Sequence, residues 1–197
     1  LSRKRSSPLR TGLLLAMVSG LEAADFRITD FGAVADGRTL NSAAIQKAID
    51  TCAAAGGGTV LIPPGVYLTG SLQLKSHTTL SLEFRTFIFG SPDIEYYPLA
   101  RVRWEGEFEP GYRALIWAEK ATDIAIVGPG VILGPPITIS RLRNPRAPTL
   151  IEPSECTNVL LGGFTAQYQR VWTIHPVLCQ NFTARNLVIR SVFTNGD

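Results

Sequence analysis

The side chains with the most chemical promise stand near the C-terminal end of this 197-residue chain: Asn195-Gly196-Asp197, preceded by Trp172-Thr173-Ile174-His175-Pro176. A carboxylate at the end of a strand, projecting over a rigid sheet, suits general acid or base work. One carboxylate does not complete a glycosidase. Inversion takes two carboxyls roughly 6.5–9.5 Å apart, one protonating the leaving oxygen and the other activating water. Strands stacked at ~4.8 Å supply that separation when the partner lies one or two strands on, which places it beyond Asp197. Two-residue alternation puts Trp172 and Ile174 on one face, and Thr173 and His175 on the other, where His175 meets a ligand or serves local structure. The second histidine, His77, lies in Lys75-Ser76-His77-Thr78 and reads as a solvated turn residue.

Other chemistries find no footing. The two histidines do not form H-E-x-x-H, and no Asp/Asn-rich calcium loop is present. Gly56-Gly57-Gly58 lacks the Lys-Ser/Thr of a phosphate loop, and no G-x-S-x-G elbow occurs. Neither a metal nor a cofactor is therefore expected. No Lys/Arg cluster interleaved with aromatics points to nucleic acid.

The elements that position these residues repeat. Ile151, Cys156, Asn158, Val159, Leu161 and Phe164 recur 23 positions on as Ile174, Cys179, Asn181, Phe182, Ala184 and Leu187. Such an offset marks stacked coils of a solenoid. The apolar runs in each coil are too short for helices and are rich in Val, Ile, Leu and Thr, as strands are. The predicted fold is all-β, a single-stranded parallel β-helix. Asn158 and Asn181 fall at equivalent bends, where stacked amides would satisfy backbone groups. Cys156 and Cys179 stack likewise, as free thiols in preference to a disulfide.

Upstream, Asn41 or Ser42 starts a helix through Cys52, in which Ala44, Ile45, Ala48, Ile49 and Cys52 recur at helical spacing. With one apolar side and no helical partner, it is expected to cap the open end of the solenoid. Coils then run from Thr59 to Phe89, and from Ala114 through Leu133. Two excursions interrupt them, Ser91 to Tyr112 and Gly134 to Pro148, the second carrying Arg141, Arg143 and Arg146. Excursions from a solenoid often shape a binding groove.

Residues 1–24 differ from the rest. Arg3, Lys4, Arg5 and Arg10 precede an apolar stretch from Gly12 to Leu21 that ends among small residues, the layout of a secretory signal peptide. Cleavage after Gly20 removes those four basic residues and moves the formal charge from +3 to −1. The expected organisation is a leader over 1–24 and, over 25–197, the N-terminal part of a solenoid whose later coils are missing, because an exposed last coil would leave a β edge open. A secreted or periplasmic monomer, with no membrane association after cleavage, is the corresponding expectation.

Asp30-Phe31-Gly32-Ala33, Asp36-Gly37, Gly56-Gly57-Gly58-Thr59-Val60 and Pro64-Gly65-Val66-Tyr67, together with Trp172-Thr173-Ile174-His175-Pro176, Cys179-Gln180-Asn181 and Asn195-Gly196-Asp197, resemble the polygalacturonase-type glycoside hydrolases, family 28. The resemblance spans about residues 26 to 197. It implies a right-handed β-helix that hydrolyses α-linked galacturonan or related pectic chains with inversion. Asp197 is then one of three active-site aspartates, with Asn195 beside it and the other two on later sequence. Gly196 stands where Thr is commoner, and Gly134-Pro135-Pro136 replaces a frequent Asp-Gly-Gln-Gly, which bears on substrate subclass. The two excursions favour exo action or oligosaccharide substrates by closing one end of a groove. A polyanionic pectic partner calls for basic contacts. Arg141, Arg143, Arg146 and Arg170 are candidates, Arg170 foremost, and Trp104 and Tyr112 either stack on sugar or anchor their loop. The alternatives are a pectate or pectin lyase working by β-elimination, a noncatalytic carbohydrate-binding or adhesion β-helix, and a structural surface solenoid.

Overall fold

The computed structural model describes residues 24–135, 145–169 and 171–191. It is a right-handed parallel β-helix closed at one end by an α-helix. Three parallel sheets wrap the core. The first stacks β1 (Asp25–Arg27), β3 (Gly58–Ile62), β6 (Thr78–Leu82), β11 (Thr122–Val127), β14 (Thr157–Gly162) and β16 (Gln180–Arg185). The second stacks β2 (Asp36–Leu40), β4 (Gly65–Thr69), β7 (Thr86–Gly90), β12 (Val131–Leu133), β15 (Thr165–Gln167) and β17 (Val188–Arg190). The third contains β5 (Leu72–Gln73), β10 (Ile116–Glu119) and β13 (Ile151–Ser154), extended by single bridges from Ile151 to Ile174 and from Ser154 to Val177.

Register follows the repeat read from the sequence: Thr157 pairs with Gln180 and Thr165 with Val188. Each inward position consequently meets the same position of the next coil. One column of the first sheet runs Phe26, Val60, Leu80, Ile126, Leu161, Ala184. Val60, Leu80 and Ile126 are fully buried. Burying such side chains contributes about 1.5–3 kcal/mol each, which offsets the ordering cost of short strands with few local contacts.

The capping helix α1 (Ser42–Ala54) buries Ile45, Ala48, Ile49 and Cys52, as its periodicity requires. Its start differs from expectation. Asn41 occupies the position before the helix, but its side chain makes no cap bond. Buried there, its amide instead receives Val34 N–H and donates to the carbonyls of Val34 and Thr39, stitching the loop before the helix. Ser42 Oγ also turns away, accepting Gly70 N–H at 2.6 Å. Both polar groups answer buried backbone of neighbouring segments, a stronger demand than an exposed helix end.

At the bends into the first sheet, Asp123, Asn158 and Asn181 adopt left-handed φ of 55°, 57° and 53°. They form a polar ladder: Asn181 Nδ2 donates to Asn158 Oδ1 at 2.9 Å, and Asn158 Nδ2 to Asp123 Oδ1 at 2.7 Å. His77 Nδ1 closes its lower end, 3.2 Å from Asp123 Oδ2, so this histidine is a ladder member as well as a solvated turn residue. Asn and Asp tolerate this backbone region better than other residues with a side chain. Cys52, Cys156 and Cys179 are free thiols. Burial pushes the Cys52 and Cys156 thiols upward.

The first excursion is more ordered than its sequence suggests. It folds into an antiparallel hairpin, β8 (Leu99–Trp104) with β9 (Glu107–Tyr112), turning at Glu105 and Gly106, both at positive φ. Two consecutive left-handed residues are the signature of the two-residue turn whose twist matches paired strands. Part of the second excursion docks on it: Arg146 bridges Gly111, with Tyr112 N–H bonded to the Arg146 carbonyl and Arg146 N–H to that of Pro110. Arg141 and Arg143 lie outside the described residues.

Candidate functional site

The outer face of the third sheet is where chemistry-bearing residues converge. Ile116 and Ile151 point into the core, so alternation sends Trp117 and Glu152 outward. Register aligns Gln73 with Trp117, and Trp117 with Glu152. The bridge from Ile151 to Ile174 brings His175 beside Glu152. The result is a column Gln73, Trp117, Glu152, His175, drawn from four coils.

A wall rises from the edge where strands enter this sheet. Trp104, at the hairpin tip, stacks on Trp172 with centroids 4.4 Å apart and planes 29° apart. Trp172 lies against His175 in turn, at 4.2 Å and 40°. The Arg146 guanidinium sits 4.5 Å over the Trp104 ring, and its Nε donates to Glu109 Oε2 at 2.6 Å. That pairing holds the Glu109 carboxyl below its ordinary range and raises Arg146 further. Trp104 is thus in contact with both Trp172 and Arg146. Trp104 thereby fastens the hairpin tip to the segment before the third sheet's last bridge. Tyr112 is half-buried against the core cluster, which also makes it an anchor.

The two-residue alternation expected through Trp172–His175 does not hold. Residues 171–173 bend rather than extend, and Ile174 contributes only an isolated bridge. Trp172 therefore turns back onto His175, while Thr173 is buried. Period-two reasoning needs a continuous strand, and this segment has none.

Glu152 is the residue that sequence reasoning missed. Its side chain is 5% exposed, and Oε2 meets His175 Nδ1 at 2.8 Å and the Thr149 hydroxyl at 3.2 Å. An acidic residue inside the apolar run Thr149-Leu150-Ile151-Glu152-Pro153, 23 positions before a histidine, was a usable signal. Along the column, Arg113 lies 4.3 Å over Trp117 and bonds Glu119 at 2.8 Å. Asn195, Asp197 and Arg170 lie outside the described residues. The structure thus brings together Trp104, Arg146 and His175 from the expected set, through Trp172. No group of three or more His, Cys, Asp or Glu suited to a metal occurs among the described residues.

Comparison with known proteins bears on what this face serves. Residues 26–83 match the family model described as rhamnogalacturonase A/epimerase, pectate lyase-like. A probable polygalacturonase of Vitis vinifera is 31% identical over 188 residues, covering 86% of this chain and 38% of the relative. The exopolygalacturonase of Thermotoga maritima superposes with a TM-score of 0.78 at 29% identity, covering 88% of this chain and 48% of that one. The family 28 exopolygalacturonase of Yersinia enterocolitica gives 0.76 at 26% identity, over 86% and 39%. The chain has a family 28-like pectic-enzyme β-helix fold. As such it is related to glycoside hydrolases, and it spans less than half the length of each of these three proteins. Among the described residues, the third sheet and its wall bring Trp104, Trp117, Trp172, Glu152 and His175 to one face. No described helix is long and apolar enough to cross a membrane.

Proposed function

We propose that the protein hydrolyses α-glycosidic bonds in galacturonan or related pectic chains, with inversion, on the outer face of the third sheet. The observation that carries this reading is the in-register column of Trp117, Glu152 and His175 beside the wall of Trp104, Trp172 and Arg146. This reading gives Asp197 the role of a member of the water-activating pair, with Asn195 beside it. Arg170 is its preferred contact to the uronate, and Arg146, engaged on one face and at Nε, supports the wall. The wall closes one side of the substrate path, which favours exo action. Residues 1–24 serve export to the periplasm or medium, and the mature protein works as a monomer without cofactor.

The test is release of reducing ends from polygalacturonate by the protein at its full natural length. Asp197→Asn is expected to lower turnover by about a hundredfold or more. Full turnover in that variant removes Asp197 from the mechanism, and an unsaturated, ultraviolet-absorbing product would mark β-elimination instead.

A further inference from the structure

Arg113 joins the hairpin to the third sheet: it follows β9, and its N–H donates to the Pro98 carbonyl at the hairpin's foot. Its guanidinium is laid 4.3 Å over the Trp117 ring, and its side chain is 16% exposed. Nη2 donates to Glu119 Oε2 at 2.8 Å, while Nε and Nη1 have no hydrogen-bond partner among the described residues. A guanidinium carries five N–H donors and a permanent charge, so one largely removed from water with two idle nitrogens calls for an anion. The floor beneath it is rigid, because Gln46 of α1 clamps β5, donating to the Gln73 carbonyl and accepting the Gln73 N–H. Gln73, in register with Trp117, accepts Lys75 Nζ at 2.7 Å through its Oε1, which fixes a second cation on the adjacent coil. Lys75 forms no ion pair among the described residues, so Glu119 offsets one of the two cations and leaves the other uncompensated.

We propose that Arg113 is a specificity-determining residue, which binds the carboxylate of a uronate unit through its idle guanidinium nitrogens on the third sheet, two coils toward the cap from His175, with Lys75 supplying the adjoining charge. The inference rests on the pectic reading above and gives it a uronate subsite. Trp117, Glu152 and His175 succeed one another coil by coil. At a strand spacing of ~4.8 Å, Trp117 stands roughly 10 Å from His175 along the solenoid. That exceeds the length of one pyranose ring, so a chain laid along the column offers Arg113 a sugar other than the one beside His175. The subsite therefore governs binding more than turnover. Stacking on the indole holds the guanidinium in one plane before the ligand arrives, and Glu119 tethers it from the side. Paired, charge-assisted donors from such a preorganised fork favour a carboxylate over a neutral sugar, which a flexible ammonium does less well.

The experiment measures KM and kcat on polygalacturonate at low and high salt for the full-length wild type, Arg113→Gln, Arg113→Lys and Lys75→Gln, with a melting curve for each. Arg113→Gln is expected to raise KM about tenfold at low salt, to leave kcat within about twofold and to flatten the rise of KM with salt. Arg113→Lys, which keeps the charge and loses the fork, is expected to raise KM about threefold, and Lys75→Gln by a similar factor. Wild-type KM in Arg113→Gln, a loss confined to kcat, or an unaltered salt dependence overturns the subsite. A lowered melting point with both kinetic constants unchanged marks Arg113 as structural and overturns it equally. Wild-type KM in Arg113→Lys overturns recognition through the fork, and wild-type KM in Lys75→Gln overturns the part given to Lys75. If Arg113→Gln melts below the assay temperature, Arg113→Lys decides by its KM. A wild type that releases no reducing ends overturns the pectic reading and this inference with it, an outcome distinct from an active enzyme indifferent to Arg113.

Discussion

The hairpin β8–β9 is held at its tip chiefly by Trp104, and replacing that residue by alanine isolates the latch. The indole stacks on Trp172 at a centroid distance of 4.4 Å and is half-buried. An aromatic pair in this geometry is worth about 0.5–1.5 kcal/mol beyond its buried area. Loss of a half-buried indole adds roughly 1 kcal/mol of apolar transfer, so the latch weakens by about 2 kcal/mol. At 1.4 kcal/mol per factor of ten, the population with the hairpin detached rises roughly thirtyfold. Arg101 and Arg103 on β8 offer trypsin sites that become accessible on detachment. When opening and closing outpace cleavage, the proteolysis rate tracks that population. Trp104→Ala should therefore be cut at the hairpin many times faster than wild type, with the coil core intact by circular dichroism. A cycle with Trp172→Ala should show a coupling of about 1 kcal/mol. Wild-type cutting rates, or strictly additive effects of the two substitutions, would refute the idea that this stack fastens the wall.

Three further outcomes follow from packing and charge. Ile126 is fully buried between Leu80 and Leu161 in the central column, so Ile126→Ala should cost about 2–5 kcal/mol, read as a lowered urea midpoint at unchanged slope. Gly128 has φ +106°, and an added Cβ would fall 2.1 Å from the Leu82 carbonyl oxygen, so Gly128→Ala should destabilise by strain as well as by clash, and a neutral outcome would show the bend can yield. The Asp36 carboxyl is lowered from 3.8 to about 2, first by the Thr39 and Arg38 backbone N–H groups and then by the Thr39 hydroxyl. Its stabilising contribution is present above pH 3.8 and is lost as pH falls through about 2; the deficit of Asp36→Asn in urea titrations should shrink over that interval, and a constant deficit would contradict the assignment.

Much of the solenoid was legible because its signal is periodic. The alternation in β6, β7 and β14, the helical spacing of Ile45, Ala48, Ile49 and Cys52, and the 23-residue offset each report local geometry that repeats. The stacked asparagines and the free, paired thiol positions followed from the same offset. The hairpin was less visible, since Glu105-Gly106 is a weak turn signal and Pro98 and Pro110 mask the strands on either side. Reading Trp172 and His175 as opposite-facing failed for want of a continuous strand.

What the sequence alone determined is the coil: the order of short strands, the period that stacks them, the lid on one end, and the residues that fill the interior. These depend on nearest neighbours along the chain and on a fixed step between coils. Tertiary structure decided which distant polar groups meet. Glu152 and His175 are separated by 23 positions, and Trp104 and Trp172 by 68, and only coil register and a docked hairpin bring each pair within contact distance. Burial then gives those pairs their chemistry, because a carboxylate out of water must find a donor.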